Sequence, residues 1–250
     1  KLGELPDLDA MADKTQQAGE ALKAVGEPLS RVRDDIDPSK ALIGFAGAPW
    51  TVATYMIEGG SSDRSGARTF AYQHADKLDR LIQILVDATV DYLAMQAASG
   101  AQALKLFESW AEGLSEPLFE RLVTMPHIAI VEGLRARGVT VPLIGFPRGA
   151  GTLVEAYAQA VPVDGVALDT SASAKLGQTI QKTKTIQGAL DPLLLRAGGA
   201  ALDERVDQML EQWGQGPYIF NLGHGILPDT PIAHVEQVLK RVTGQKVAGA

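Results

Sequence analysis

The run Asn221-Leu222-Gly223-His224-Gly225 directly follows the apolar stretch Tyr218-Ile219-Phe220. A titratable ring between glycines at the end of a buried strand suits acid-base work or anion binding, because α/β proteins keep their chemistry at strand carboxyl ends. The same residues also read as a turn in which His224 bonds to backbone. Lys105 falls in phase with Phe107 and Ser109 by period-two alternation, so the three share one side of a strand. A lysine placed there either forms a Schiff base or is a polar filler paired with an interior acid. Ser109 offers a hydroxyl at that strand's end, or merely caps the next segment. Tyr55 offers a phenol within a helical pattern, where a half-buried structural tyrosine reads equally well. Arg148, between Pro147 and Gly149, is a surface or anion-facing residue, and Asp169 and Asp191-Pro192 read first as turn and cap residues. Trp50, Trp110 and Trp213 read as packing, and His74, His127 and His234 fall on helical stretches with no assigned role.

Positioning such residues requires strands that end together. Strand-length apolar runs occur at 41–45, 103–107, 141–146, 165–168, 185–187 and 218–220. Helical patterns separate them. Over 70–98, Leu78, Leu81, Ile82, Leu85, Ala88 and Tyr92 recur at i, i+3, i+4 spacing. Ser115 before Glu116-Pro117 predicts an N-cap with proline in the first turn, opening a helix that Pro126 breaks or restarts. Two more helices are predicted over 200–213, stopped by Gly214, and over 231–242. Alternating strands and helices imply a parallel sheet. Gly, Pro and polar clusters follow all six strands, which favours a barrel's catalytic rim over the single switch point of an open sheet.

Composition narrows the function classes. The 250 residues, 46% hydrophobic, suffice for one domain, and no uninterrupted apolar run reaches the length of about 18 that a membrane span needs. The absence of cysteine excludes disulfides and thiolate metal sites and suits a cytoplasmic setting. A net charge of -7 argues against nucleic acid and anionic membranes as partners.

Several linked motifs carry a resemblance. Ala46-Gly47-Ala48-Pro49-Trp50-Thr51 with Tyr55-Met56-Ile57-Glu58-Gly59-Gly60, then Phe107-Glu108-Ser109, Gln187-Gly188-Ala189-Leu190-Asp191-Pro192 and Asn221-Leu222-Gly223-His224-Gly225 closely resemble the uroporphyrinogen decarboxylase family. The resemblance implies a (β/α)8 TIM-type barrel and a cytoplasmic homodimer. It also implies removal of carbon dioxide from the acetate arms of uroporphyrinogen III, giving coproporphyrinogen III in haem and chlorophyll biosynthesis, with no metal and no organic cofactor. Protonating the pyrrole carbon beside each arm makes the substrate its own electron sink. By the same resemblance Tyr55 is a catalytic pocket residue that also binds substrate, and Ser109 and His224 contact substrate carboxylates. The Gly59-Gly60-Ser61-Ser62-Asp63-Arg64 segment would close over the substrate.

Two family blocks do not occur in these 250 residues. An Arg-Gln-Ala-Gly-Arg-Tyr segment would supply arginines for the carboxylates and an acid, and a Phe-Ser-Asp-Ile segment the aspartate that binds the pyrrole nitrogens. The chain therefore reads as a single incomplete barrel over 1–250 lacking the first two strands, inactive alone and with exposed strand edges. Other readings are a Schiff-base lyase or aldolase using Lys105, and a noncatalytic fragment that binds a tetrapyrrole or partner. A related thiol methyltransferase would hold zinc through cysteine, of which there is none.

Overall fold

The computed structural model describes residues 7–59 and 63–244; Gly60, Ser61 and Ser62 of the expected closing segment lie outside them. The chain divides into two compact units, Lys1–Asp164 and Gly165–Ala250. Unit 1 runs α1 (Leu8–Gln16), α2 (Gly19–Asp35), β1 (Ile43–Gly47), α3 (Pro49–Glu58), α4 (Ser65–Gln73), α5 (Ala75–Ala98), β2 (Ala103–Glu108), α6 (Glu116–Phe119), α7 (Met125–Ala136), β3 (Leu143–Pro147) and α8 (Leu153–Ala160). Its strands are parallel, β1 beside β2 and β2 beside β3, so their carboxyl ends share one side of the unit.

Alternation gives this sheet two unlike faces. Leu104 and Leu106 are fully buried on the face that meets the helices, each worth roughly 1.5–3 kcal/mol of burial. Lys105 and Phe107 take the other face, where register sets Phe45 opposite Lys105 and Phe146 opposite Phe107. The rings meet edge to face, with centroids 5.8 Å apart for Phe45 and Phe107 and 6.0 Å for Phe107 and Phe146.

The expected helix over 70–98 is two helices, because His74 leaves helical geometry at φ -133° and ends α4 before α5 begins. The buried stripe of α5 is wider than the spacing predicted, adding Ile84, Val86, Thr89, Val90, Leu93 and Gln96, while Ala88 and Tyr92 are only half-buried. At 24 residues α5 is long and apolar enough to cross a membrane, but half of its most apolar 18-residue stretch is buried within the protein. Pro126 stands in the first turn of α7, where α-helical geometry restarts, as expected. A π-helical turn at Glu120–Thr124 carries α6 into α7, the wider turn accommodating a residue with no N–H to donate. Ser115 occupies the cap position, yet its hydroxyl lies 3.2 Å from the Tyr72 hydroxyl instead of capping.

β1 begins two residues later than expected and continues through Gly47. Its pairing bonds use Leu42 and Ala48, so the backbone of Phe45 points away from β2. There the Gln96 side chain accepts from Phe45 N–H at 2.8 Å and donates to Phe45 C=O at 2.8 Å. Gly44 makes room for this amide, since a Cβ there would sit 2.6 Å from Gln96 Oε1.

Unit 2 comprises β4 (Gly165–Ala167), α9 (Ala174–Gln181), β5 (Thr185–Leu190), α10 (Pro192–Ala197), α11 (Gly199–Trp213), β6 (Tyr218–Leu222) and α12 (Ile232–Thr243). β4, β5 and β6 are again parallel neighbours in that order. Trp213 is buried and donates from Nε1 to Ala174 C=O at 3.1 Å, tying α11 to α9, as its packing role predicted. The parallel α/β class and all six strands agree with the sequence.

Candidate active site

In unit 1 the strand ends are tied to one another. Ala48 N–H donates to Phe107 C=O at 2.9 Å, so β1 turns directly into α3, with Pro49 in its first turn, where no N–H is needed. Ser109 follows β2 and is half-buried; its N–H donates to Thr51 Oγ1 at 2.8 Å. Arg148, just past β3, donates from its guanidinium to Ser109 C=O at 3.1 Å, so it faces the strand ends. Trp50 donates from Nε1 to Trp110 C=O at 2.9 Å, which holds the residue after Ser109 as well.

Tyr55 lies one turn beyond Thr51 on α3 and is 48% exposed. Its ring stands edge to face with Trp110, centroids 6.3 Å apart. The Arg64 guanidinium lies 4.1 Å from the Trp110 ring and 5.1 Å from that of Tyr55. Tyr55 and Ser109 are thus brought to one end of unit 1 through Trp110, while His224 belongs to unit 2. Arg64, the last residue of the segment expected to close over substrate, is only 6% exposed, at φ 63°. Nothing local in Ser61-Ser62-Asp63-Arg64 announces an aromatic-bound cation, since both rings come from other elements.

Lys105 is in phase with Phe107, as alternation predicted, and its ammonium lies 4.7 Å from the Phe107 ring and 5.0 Å from that of Phe146. Burial pushes this amine down to about 8. Glu108 points the other way, into the layer between sheet and helices, and is fully buried. Thr51 donates its hydroxyl to Glu108 Oε1. Glu108 Oε2 lies 3.6 Å from His127 Nε2, and His127 Nδ1 lies 2.7 Å from the Tyr157 hydroxyl. Burial first, and then the Glu108 charge, hold the Tyr157 phenol well above its usual range, so it stays protonated. The His127 ring thus lies between the Tyr157 phenol on one nitrogen and the Glu108 carboxylate on the other. The sequence reading gave His127 no role; the structure makes it part of a buried polar knot with Glu108, Thr51 and Tyr157. One signal was available, because alternation sets Glu108 opposite Phe107, so its charge had to be met inside the helix layer.

In unit 2, His224 follows β6 and is exposed. Gly223 before it donates its N–H to Leu190 C=O at 2.8 Å and packs so closely that a Cβ would sit 2.4 Å from Thr170 N. Asp169 accepts from Ser171 N–H at 2.9 Å and Asp191 from Leu193 N–H at 2.8 Å, the turn and cap roles expected of them. His234 Nδ1 lies 3.0 Å from Leu195 C=O near the end of α10.

A family model described as uroporphyrinogen decarboxylase (URO-D) matches residues 2–245. The chain belongs to the uroporphyrinogen decarboxylase family. A uroporphyrinogen decarboxylase of Caulobacter vibrioides (strain NA1000 / CB15N) is 81% identical over 247 residues, covering 99% of this chain and 70% of that protein. One of Phenylobacterium zucineum (strain HLK1) is 63% identical over 248 residues, covering 99% of this chain and 72% of its own length. In fold, the chain is similar to a methyltransferase from Methanosarcina mazei, with a TM-score of 0.73 at 17% identity over 88% of this chain and 63% of that one. Membership of the uroporphyrinogen decarboxylase family agrees with the motifs at both sets of strand ends, which span 179 residues from Ala46 to His224 and lie within the matched range.

Proposed function

We propose that this protein takes part in decarboxylating the acetate arms of uroporphyrinogen III to give coproporphyrinogen III, with the protonated macrocycle as electron sink. The observation that carries the reading is the end of unit 1, where Tyr55 meets Trp110 beside Ser109. Arg64 lies against Tyr55 and Trp110 and Arg148 reaches Ser109 C=O, in a chain whose net charge is -7. Local cations of this kind suit a polycarboxylate that the overall field would repel. Tyr55 is assigned to the reacting pocket, and Ser109 and His224 to the carboxylates, by family resemblance. The proposal further includes a single (β/α)8 domain, a cytoplasmic homodimer, uroporphyrinogen III as the partner molecule, and neither metal nor organic cofactor.

The aspartate and arginine blocks that the family uses for the pyrrole nitrogens and the proton are not among these 250 residues. These residues therefore hold substrate without completing the reaction. Incubated with uroporphyrinogen III, the 250-residue polypeptide is expected to form no coproporphyrinogen, whereas the full-length protein forms it and loses at least tenfold in kcat/KM on His224→Ala. Turnover by the short polypeptide, or an unaffected His224→Ala enzyme, would overturn this assignment. One observation favours a second reading, a Schiff-base lyase: the Lys105 amine brought down to about 8. Borohydride with a keto acid is expected to leave the protein mass unchanged, and a trapped adduct would replace the decarboxylase.

A further inference from the structure

The back face of β2 reads Leu104, Leu106, Glu108, all fully buried. A third leucine would be the cheaper choice there, because removing a carboxylate from water costs several kcal/mol that pairing only partly returns. The charge stands where β2 ends, immediately before Ser109, and its two oxygens face different elements. Oε1 meets Thr51 on α3, and Oε2 faces His127 on α7 at 3.6 Å. Tyr157 on α8 fixes the histidine from behind at 2.7 Å. It has room because Gly145 on β3 carries no side chain, where a Cβ would sit 2.0 Å from the phenol oxygen.

Thr51 is the hinge of this arrangement. Its hydroxyl has one proton, given to Glu108, and lone pairs, one of which takes the Ser109 N–H at 2.8 Å. Tyr55 lies four residues further along the same helix, on the same side. We propose that Thr51 and Glu108 are positioning residues that lock α3 to the end of β2 and so hold Tyr55 and Ser109 in fixed register, with His127 and Tyr157 steadying the carboxylate. This rests on the reading that Ser109 meets substrate, and it adds to that reading the parts that keep Ser109 in place. Glu108, His127 and Tyr157 are fully buried and Thr51 is 4% exposed, so all four act through the residues they hold.

Two measurements test the lock, amide exchange at Ser109 in this chain and kcat/KM in the full-length protein. Thr51→Val keeps the shape of the side chain and removes the hydroxyl; it is expected to speed Ser109 exchange about tenfold and to lower kcat/KM about tenfold. Thr51→Ser is expected to restore both within about twofold. In a Ser109→Ala background, Thr51→Val is expected to cost clearly less than its tenfold in the parent, since of the two residues it holds only Tyr55 still acts on substrate. Unchanged Ser109 exchange in Thr51→Val, or fully additive losses in the double variant, would overturn the proposal. If Ser109→Ala alone leaves kcat/KM intact, the substrate role of Ser109 fails, and the exchange result still decides whether the lock exists. Should Thr51→Val not fold, Glu108→Gln serves instead, with exchange at Ser109 about threefold faster supporting the lock and unchanged exchange rejecting it.

Discussion

The ends of β2 and β6 both carry residues assigned to substrate carboxylates, and they are built in opposite ways. Ser109 is held from behind by side chains, the Thr51 hydroxyl and the Glu108 carboxylate, with His127 and Tyr157 in support. The turn bearing His224 is shaped by backbone, through the Gly223 N–H to Leu190 C=O and a glycine pressed against Thr170. A polar knot can be loosened one group at a time while the fold persists. A turn made by close backbone approach either fits or shifts as a whole.

The largest expected difference comes from breaking the knot at its centre. Glu108→Ala leaves a cavity in the core and the buried Thr51 hydroxyl without its acceptor, and should cost about 3–5 kcal/mol in urea-unfolding free energy. A cost below about 1 kcal/mol would mean that the knot relaxes and does not organise the β2 end. Next comes Lys105, on the same strand but facing away from the knot. Its ammonium falls from 10.5 to about 8 on folding, so the unfolded chain binds the extra proton between those values. The penalty is fully present below pH 8 and disappears as pH rises towards 10.5. Lys105→Met should therefore be more stable than the parent by about 2–3 kcal/mol at pH 7 and by much less near pH 10, with Ser109 exchange unaltered. A pH-independent difference in paired urea titrations would reject this. The smallest effect is expected at the other strand end, where Gly223→Ala should cost about 1–3 kcal/mol by overpacking and shift the His224 imidazole resonances, leaving Ser109 exchange as in the parent.

These contrasts also mark what the sequence makes legible. Alternation in Ala103–Glu108 reveals which residues share a face, because it depends only on neighbours along one strand. Asp191 before Pro192 reveals a cap for the same local reason. The knot is invisible to such reading. Thr51 and Glu108 lie 57 residues apart and His127 and Tyr157 lie 30 apart, and only the packing of α3, α7 and α8 on the sheet brings them together. His127 thus passed for an ordinary helix residue. Tyr55 and Ser109 were found through motif resemblance, whereas Arg64 depends on two rings supplied from elsewhere.

The grip of Gln96 on Phe45 bears on how this molecule meets other polypeptides. By satisfying one donor and one acceptor on the open side of β1, the amide imitates a neighbouring strand at a single residue. Any incoming segment that lengthens the sheet on that flank must first evict it, exchanging two good bonds for two others. At Phe45, then, the flank is closed by a side chain and not by backbone, and those two bonds are the pair such a segment would have to replace at that residue.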